Sequence, residues 1–125
     1  GLPFSAVYLP QGAVTGVNPT IFPSKEELHW LLSYLNSSLV TYLVRGVLIR
    51  TNMVTSGYIN ALPVPDFSED IKLQLSMLAM DVLSEQKTPL DAIDEIDQIL
   101  FNSLRMSAST SKSIREFARN LNSRV

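Results

Sequence analysis

The 125-residue chain contains no cysteine, and His29 is its only histidine. Without cysteine there can be no disulfide bond, thiolate metal site or cysteine nucleophile, and this composition fits a reducing compartment such as the cytoplasm. A zinc site would have to rely on carboxylates beside one histidine, which is uncommon. A lone histidine also lacks the oriented partner that nucleophilic catalysis requires. We therefore expect no metal site in this chain and no catalytic role for His29.

Long apolar runs are missing as well. The longest, residues 39–49, is interrupted by Arg45 and Gly46, whereas a membrane-spanning helix needs about 20 residues. The first residues lack the basic region and apolar run of a signal peptide. There is also no glycine-rich phosphate loop and no nucleophile elbow. We therefore predict a cytoplasmic protein that has no membrane partner, and a chain that is not an enzyme by itself.

The charges that are present are unevenly distributed. Residues 1–65 are weakly basic, residues 66–101 hold nine acidic and two basic residues, and residues 102–125 hold five basic residues and one acidic residue. Most such runs are solvated helix faces, and we interpret the carboxylates of the fourth helix in this way. This set consists of Asp91, Asp94, Glu95 and Asp97. The alternation indicates two weakly basic surfaces separated by an acidic helical face.

Short β-prone segments occur near the N-terminus and in the middle of the chain. Residues 5–9 and 13–17 are bounded by proline, glycine or asparagine, residues 20–22 are a brief extended piece, and residues 58–62 precede a proline turn. Such bounded runs predict strands. Together with the helices described next, they predict a mainly helical α+β fold, with short N-terminal strands and a small β element packed with about five helices.

The first two helices are predicted between residues 24 and 48. Ser24 and Glu27 have the spacing of a capping box, and leucines follow at helical spacing. The leucines expected to form the buried face are Leu28, Leu31, Leu32 and Leu35. Ser37 or Ser38 is expected to cap a second helix over residues 39–48. That segment is apolar on nearly every side, so a buried strand remains an alternative.

Three more helices are predicted after the sequence Leu-Pro-Val-Pro at residues 62–65. Asp66 or Ser68 is expected to cap the third helix. Thr88 followed by Pro89 is a strong start signal for the fourth helix. A serine-rich break at residues 106–111 is expected to separate it from a short final helix.

We predict a single domain over residues 1–125, because the length is that of one domain. It divides into strands and turns (1–23), a helical pair with a variable loop and proline turn (24–65), and C-terminal helices (66–125). The chain begins Gly-Leu-Pro without an initiator methionine. We therefore expect it to be a C-terminal piece of a longer polypeptide.

Two groups of residues have the chemistry of nucleic-acid contacts. Arginine, amide and hydroxyl side chains bind phosphates and base edges, and they are concentrated at residues 45–58. The first group consists of Arg45, Arg50, Thr51, Asn52, Thr55, Ser56 and Tyr58. The second consists of Lys112, Arg115 and Arg119, which share one helix face at three- to four-residue spacing. The alternatives are an ordinary polar loop and a solvated helix.

The sequence LLSYLNSSLVTYLVRG, followed by GYINALPVPDF and a helix, resembles the C-terminal target-recognition domain of adenine-specific DNA methyltransferases. The resemblance is closest to the TaqI-like specificity domain of type IIG restriction-modification enzymes, and it covers roughly residues 20–104. In that family a leucine-asparagine-serine helix precedes a variable segment, which ends in a leucine-proline-isoleucine-proline turn before a long helix. The matching positions here are Leu35, Asn36 and Ser37, then Leu62, Pro63, Val64 and Pro65, then residues 71–83.

The resemblance implies a module that binds double-stranded DNA and helps select the target sequence, with residues 50–58 facing the DNA. The chain itself would need no cofactor. A catalytic domain of the same polypeptide would bind S-adenosylmethionine and methylate adenine, and the parent protein could also cleave DNA. The alternative from a different class is a helical protein–protein interaction scaffold within a larger complex, which the acidic helices and the apolar segment 39–49 would suit.

Overall fold

Helices make up all the regular structure of residues 4–10, 19–48 and 56–122, which are the part of the chain that the computed structural model describes. In chain order they are α1 (Lys25–Leu35), α2 (Ser38–Tyr42), α3 (Ser56–Asn60), α4 (Glu69–Leu83), α5 (Pro89–Ser103) and α6 (Ala108–Asn122). The chain continues directly from α2 into a π-helical segment, Leu43–Leu48. The second helix predicted from the sequence is therefore confirmed, and the alternative of a buried strand is excluded.

The predicted α+β class is wrong, because none of the described residues forms a strand. Residues 58–62 belong to α3 and the turn after it, where the Ala61 amide donates to the Gly57 carbonyl at 3.2 Å. Residues 5–9 and 20–22 are irregular, and residues 13–17 lie outside the described residues. A β-prone sequence forms a strand only where a neighbouring edge can pair with it. Residues 4–10 bond to side chains instead: Ala6 to Asn36, and the Phe4 carbonyl to the Thr41 hydroxyl.

Three of the helix starts predicted from the sequence are confirmed by side-chain caps. The hydroxyl oxygen of Ser37 accepts a hydrogen bond from the Val40 amide at the start of α2. Ser68 caps α4 in the same way, and Thr88 caps α5, with Pro89 in its first turn. Each hydroxyl satisfies one of the backbone N–H groups that a helix leaves without a partner in its first turn.

The start of α1 differs from the predicted capping box. Ser24 is the N-cap residue, but its side chain makes no cap hydrogen bond. The backbone provides the first turn instead, since the Glu27 amide donates to the Ser24 carbonyl at 3.1 Å. The buried face of α1 agrees with the predicted leucine stripe only in part. Its buried residues are Trp30, Ser33, Tyr34 and Leu35, and Leu31 packs partly buried against the core.

The main core lies where α1 and α5 pack against α4, with α2 completing it. Its buried side chains are Trp30, Tyr34, Leu35, Val40, Val44, Leu62, Phe67, Leu75, Leu78, Ala92, Ile96 and Leu100. Helix α6 packs on α2 and forms a smaller cluster from Leu39, Phe101 and Ile114. The C-terminal helix thus contacts the rest of the molecule mainly through α2 and the end of α5.

The connection between α5 and α6 is shorter than the predicted serine-rich break. Helix α6 begins at Ala108, and the Ser107 hydroxyl accepts from the Thr110 amide at 3.2 Å. The serines at residues 107–111 therefore start a helix. This outcome follows from the preference of serine for N-cap positions.

Candidate nucleic-acid interface

Asn36, between α1 and α2, fixes the N-terminal residues against the helices. Its side-chain oxygen accepts from the Ala6 amide at 3.1 Å, and its Nδ2 donates to the Ala6 carbonyl at 2.9 Å. The same nitrogen donates to the Leu32 carbonyl at 2.9 Å at the end of α1. The side-chain amide of Asn36 therefore bonds both the backbone N–H and the carbonyl of Ala6, as a neighbouring strand would.

Ser37 joins the end of α1 to the start of α2. Its hydroxyl donates to the Tyr34 carbonyl at 2.7 Å and accepts from the Val40 amide at 3.2 Å. Ser37 is fully buried, so both bonds are made away from water. A single hydroxyl thus satisfies a carbonyl of one helix and an amide of the next.

Ser38 binds a buried carboxylate from α5. Asp97 Oδ1 accepts from the Ser38 amide at 2.9 Å, and Oδ2 accepts from the Ser38 hydroxyl at 2.6 Å. The carboxylate therefore lies at the N-terminal end of α2, where the helix dipole favours a negative charge. The tie connects positions 59 residues apart in the chain.

Asp97 is 1 % exposed. Burial, the largest effect, raises the pKa of its carboxyl above the usual range, while the bonds from Ser38 and the charge of Arg115 partly offset this rise. Arg115 Nε lies 3.6 Å from Asp97 Oδ2. A buried carboxylate with these partners is costly to disrupt, because removing one partner leaves the others desolvated.

The interpretation of the four α5 carboxylates as a solvated face is wrong for Asp97. Asp91, Asp94 and Glu95 are exposed, but Asp97 is buried. One signal could have revealed this difference. Asp97 lies four residues after Ile93 and three before Leu100, in line with the apolar residues of α5. An acidic residue in line with a buried stripe indicates a buried partner.

Arg115, one of the predicted DNA contacts, points towards the protein. Its guanidinium donates to the Asp94 carbonyl at 3.0 Å and lies 5.9 Å from the centre of the Phe101 ring. It also pairs with Asp97. About a quarter of its side chain, 26 %, is exposed. Its observed contacts hold α6 against α5.

Lys112 and Arg119 lie on the solvent side of α6, as the sequence pattern predicts. They line an open groove of about 450 Å³ between α5 and α6, together with Gln98, Asn102 and Arg115. Lys112 lies 3.9 Å from Glu116, and Arg119 lies 3.8 Å from Asp94, in both cases between charged atoms. These exposed pairs are weak, so both cations remain accessible to an anionic ligand.

The other predicted DNA contacts lie in or near residues 49–55, a range outside the described residues. Arg50, Thr51, Asn52 and Thr55 belong to that segment. Arg45 is half-buried in the π-helical segment. Ser56 starts α3, so it does not lie in a loop as predicted, and Tyr58 packs partly buried against the main core.

The Leu-Pro-Val-Pro turn is fixed to α1. Leu62, its first residue, and Phe67, two residues after it, are buried, and the Tyr34 hydroxyl donates to the Pro63 carbonyl at 2.6 Å. The Tyr34 and Phe67 rings meet edge to face, with centroids 5.6 Å apart. Burial raises the pKa of Tyr34 to about 12. The turn therefore has a defined position relative to α1 and α4.

Among residues 4–10, 19–48 and 56–122, no three histidine or acidic side chains come together in a group that could bind a metal ion. None of the helices in those ranges is long and apolar enough to cross a bilayer. No protein-family model, curated protein or solved structure matches this chain significantly.

Proposed function

We propose that this chain is a DNA target-recognition module of a cytoplasmic, adenine-specific DNA methyltransferase from a restriction-modification system. The module is not catalytic. It binds double-stranded DNA and contributes to the choice of target sequence. A catalytic domain elsewhere in the same polypeptide binds S-adenosylmethionine and transfers the methyl group to adenine.

The observation that carries this proposal is the pair of fixed positions around the predicted variable segment, residues 50–58. Before the segment, Leu48 packs against the main core at the end of the π-helical segment, and after it Leu62 is buried in the same core. The two sequence motifs of the resemblance also make hydrogen bonds within the fold. Asn36, of the first motif, bonds to Ala6, and Pro63, of the second, bonds to Tyr34. A rigid scaffold that holds both ends of a variable segment suits a recognition loop.

A second group of contacts is proposed on α6. Lys112 and Arg119 are mostly exposed, with 76 % and 66 % of their side chains open to solvent. Flexible cations of this kind neutralise DNA phosphates without reading bases. Arg115 has a different role in this proposal, since its contacts with Asp94 and Asp97 position α6.

Selection from random-sequence duplexes by the 125-residue chain tests the proposal. We expect enrichment of a defined sequence, because arginine and asparagine in the variable segment can bind base edges. Arg50→Ala or Asn52→Ala should relax the selected sequence at one or two positions. Lys25→Ala, an exposed cation outside both predicted groups, is the matched control and should leave the selected sequence unchanged. Failure to enrich any sequence, or identical selection by all variants, would contradict sequence recognition.

A helical protein–protein scaffold is the second candidate. The observation that favours it is the solvent-facing side of α4, where Leu73 and Met77 are each more than half exposed. Apolar side chains grouped on one exposed face are typical of interaction sites. The two functions are compatible in one molecule, because the α4 face and the predicted DNA contacts involve different residues.

A further inference from the structure

Helix α4 is apolar on two opposite sides. Leu75, Leu78 and Ala79 are buried in the protein. On the solvent side, Leu73, Met77 and Met80 follow one another at i, i+4 and i+7 and are 58 %, 54 % and 45 % exposed. Leu83 extends this row near the end of the helix and is 46 % exposed. We name these four residues the α4 stripe. A helix that only covered a core would have polar residues on its outer side.

The charges around the α4 stripe are almost all negative. Glu69, Asp70 and Glu85 are exposed at its ends, and Asp81 lies half-exposed beside it. Residues 66–87 contain two basic residues. Lys72 lies over the Trp30 ring and pairs with Glu69 at 3.6 Å, and Lys87, which also lies near Asp81, is paired with Glu95. Carboxylates therefore outnumber cations along the stripe.

The carboxylates at the end of α4 oppose its helix dipole, and Lys87, the cation near Asp81, is already paired with Glu95. Asp81 lies in the last turn and Glu85 follows the C-cap residue, and no basic residue occupies the last turn. The carbonyl end of a helix carries a partial negative charge, so it is stabilised by cations and destabilised by carboxylates. Positive side chains supplied from outside would relieve this repulsion and pair with both carboxylates.

We propose that the α4 stripe is a docking surface for a separate amphipathic helix whose apolar seam is flanked by lysine or arginine. The seam would cover Leu73, Met77 and Met80, and the flanking cations would face Asp70 and Asp81. Methionine suits such a surface because its flexible side chain adapts to the partner. Helix-on-helix docking of this kind uses anchors at i, i+3, i+4 and i+7. The proposal does not depend on DNA binding by this chain.

Charge is also the reason why the partner differs from a second copy of this chain. Two α4 helices packed stripe to stripe would bring the same carboxylates close together, and like charges across an interface disfavour association. An anionic lipid surface is disfavoured for the same reason. The stripe spans about 15 Å of helix, from the 1.5 Å rise per residue. A surface of this size fits a small, transient interface.

Fluorescence anisotropy with two synthetic helices tests the proposal. The first is a labelled peptide of about 18 residues, with a leucine seam at helical spacing and lysine flanks. The second has the same seam with glutamate flanks. We expect the lysine peptide to bind the 125-residue chain with a dissociation constant in the tens of micromolar. The glutamate peptide should bind at least tenfold more weakly, because its flanks would face carboxylates.

Variants of the chain locate the binding site. The double variant Leu73→Gln/Met77→Gln should weaken binding of the lysine peptide about tenfold, because hydrophobic anchors dominate small interfaces. Asp81→Lys should weaken it several-fold and strengthen binding of the glutamate peptide. Val47→Thr, at an exposed apolar residue on another helix, is the matched control and should change nothing. Urea midpoints equal to wild type would verify that the variants are folded.

Three outcomes would overturn the proposal. The first is absence of binding of the lysine peptide up to about 500 µM, roughly tenfold above the dissociation constant that we expect. The second is equal binding of both peptides, or equal binding to wild type and to Leu73→Gln/Met77→Gln. The third is a concentration-dependent dimer in sedimentation experiments that this double variant abolishes, since a second copy would then cover the stripe.

Discussion

At the residue scale, Asp97 is the side chain through which α2, α5 and α6 meet. It accepts from the amide and the hydroxyl of Ser38 and pairs with Arg115. Asp97→Ala leaves the two Ser38 donors without their acceptor inside the protein, and the Arg115 guanidinium without this negative charge. We expect the free energy of unfolding to fall by about 2–4 kcal/mol, the range for breaking a buried charge network.

The control for this prediction is Asp94→Ala, one turn earlier on the same helix. Asp94 is exposed, and its carboxylate lies 3.8 Å from both Arg115 and Arg119. Exposed pairs of this kind contribute about 1 kcal/mol or less. Urea unfolding followed by circular dichroism measures both variants. A loss in Asp97→Ala no larger than that in Asp94→Ala would show that the buried contacts do not stabilise the fold.

The raised pKa of Tyr34 predicts that the protein loses stability at high pH. Burial raises its pKa to about 12 in the folded state, compared with about 10 in the unfolded chain. The folded state therefore favours the neutral phenol. Its contribution is fully present below pH 10 and is lost as the pH rises from about 10 to 12, by roughly 2 kcal/mol.

Tyr34→Phe isolates this effect, because phenylalanine cannot ionise. The variant loses the hydrogen bond to Pro63, so we expect it to be less stable than wild type at pH 7 by about 1 kcal/mol. Between pH 10 and 12 its stability should decline less steeply than that of wild type. Urea unfolding at several pH values measures both. Parallel curves for the two proteins would contradict the assignment of this titration to Tyr34.

At the element scale, α4 and α5 end in the same way, each with a non-glycine residue in the left-handed conformation. Glu85 has φ 62° and Arg105 has φ 53°. After each, the next amide bonds back across the last turn: Gln86 to the Asp81 carbonyl at 2.8 Å, and Met106 to the Phe101 carbonyl at 3.0 Å. This is the Schellman arrangement, in which glycine is the preferred residue.

Glycine at these two positions should stabilise the protein. Removing the side chain relieves the strain of a left-handed residue, which outweighs the greater freedom that glycine gives the unfolded chain. We expect Glu85→Gly and Arg105→Gly each to raise the free energy of unfolding by about 0.5–1 kcal/mol. Gln98→Gly, in the middle of α5, should lower it by a similar amount. Denaturant midpoints show whether each variant gains or loses stability. A loss of stability in Arg105→Gly would contradict this account of the helix end.

The helix ends also show which features could be predicted from sequence. Ser37, Ser68 and Thr88 act as caps through residues three positions away, so local sequence contains the necessary information. The strand predicted at residues 58–62 failed because β propensity has no effect without a pairing edge. The burial of Asp97 depends on Ser38 and Arg115, which only the tertiary packing brings together.

At the scale of the whole molecule, the scaffold and the proposed contacts are separate. The hydrogen bonds of Ser37 and Ser38 are buried and those of Asn36 are partly buried, whereas Lys112 and Arg119 are exposed. Sequence reasoning grouped Arg115 with these two cations because all three share one helix face. A periodic pattern gives the face of a helix, but the neighbouring α5 decides which of its cations reach solvent.

The central claim, that this chain binds DNA through its cations, is tested most directly by the salt dependence of its affinity for a random-sequence duplex. We predict that log Kd rises linearly with log salt concentration. The slope should fall by about 0.9 for each phosphate contact removed, as expected for Lys112→Ala and Arg119→Ala, whereas Lys25→Ala should retain the wild-type slope. An affinity that is independent of salt, or no binding at low salt, would contradict the proposed function.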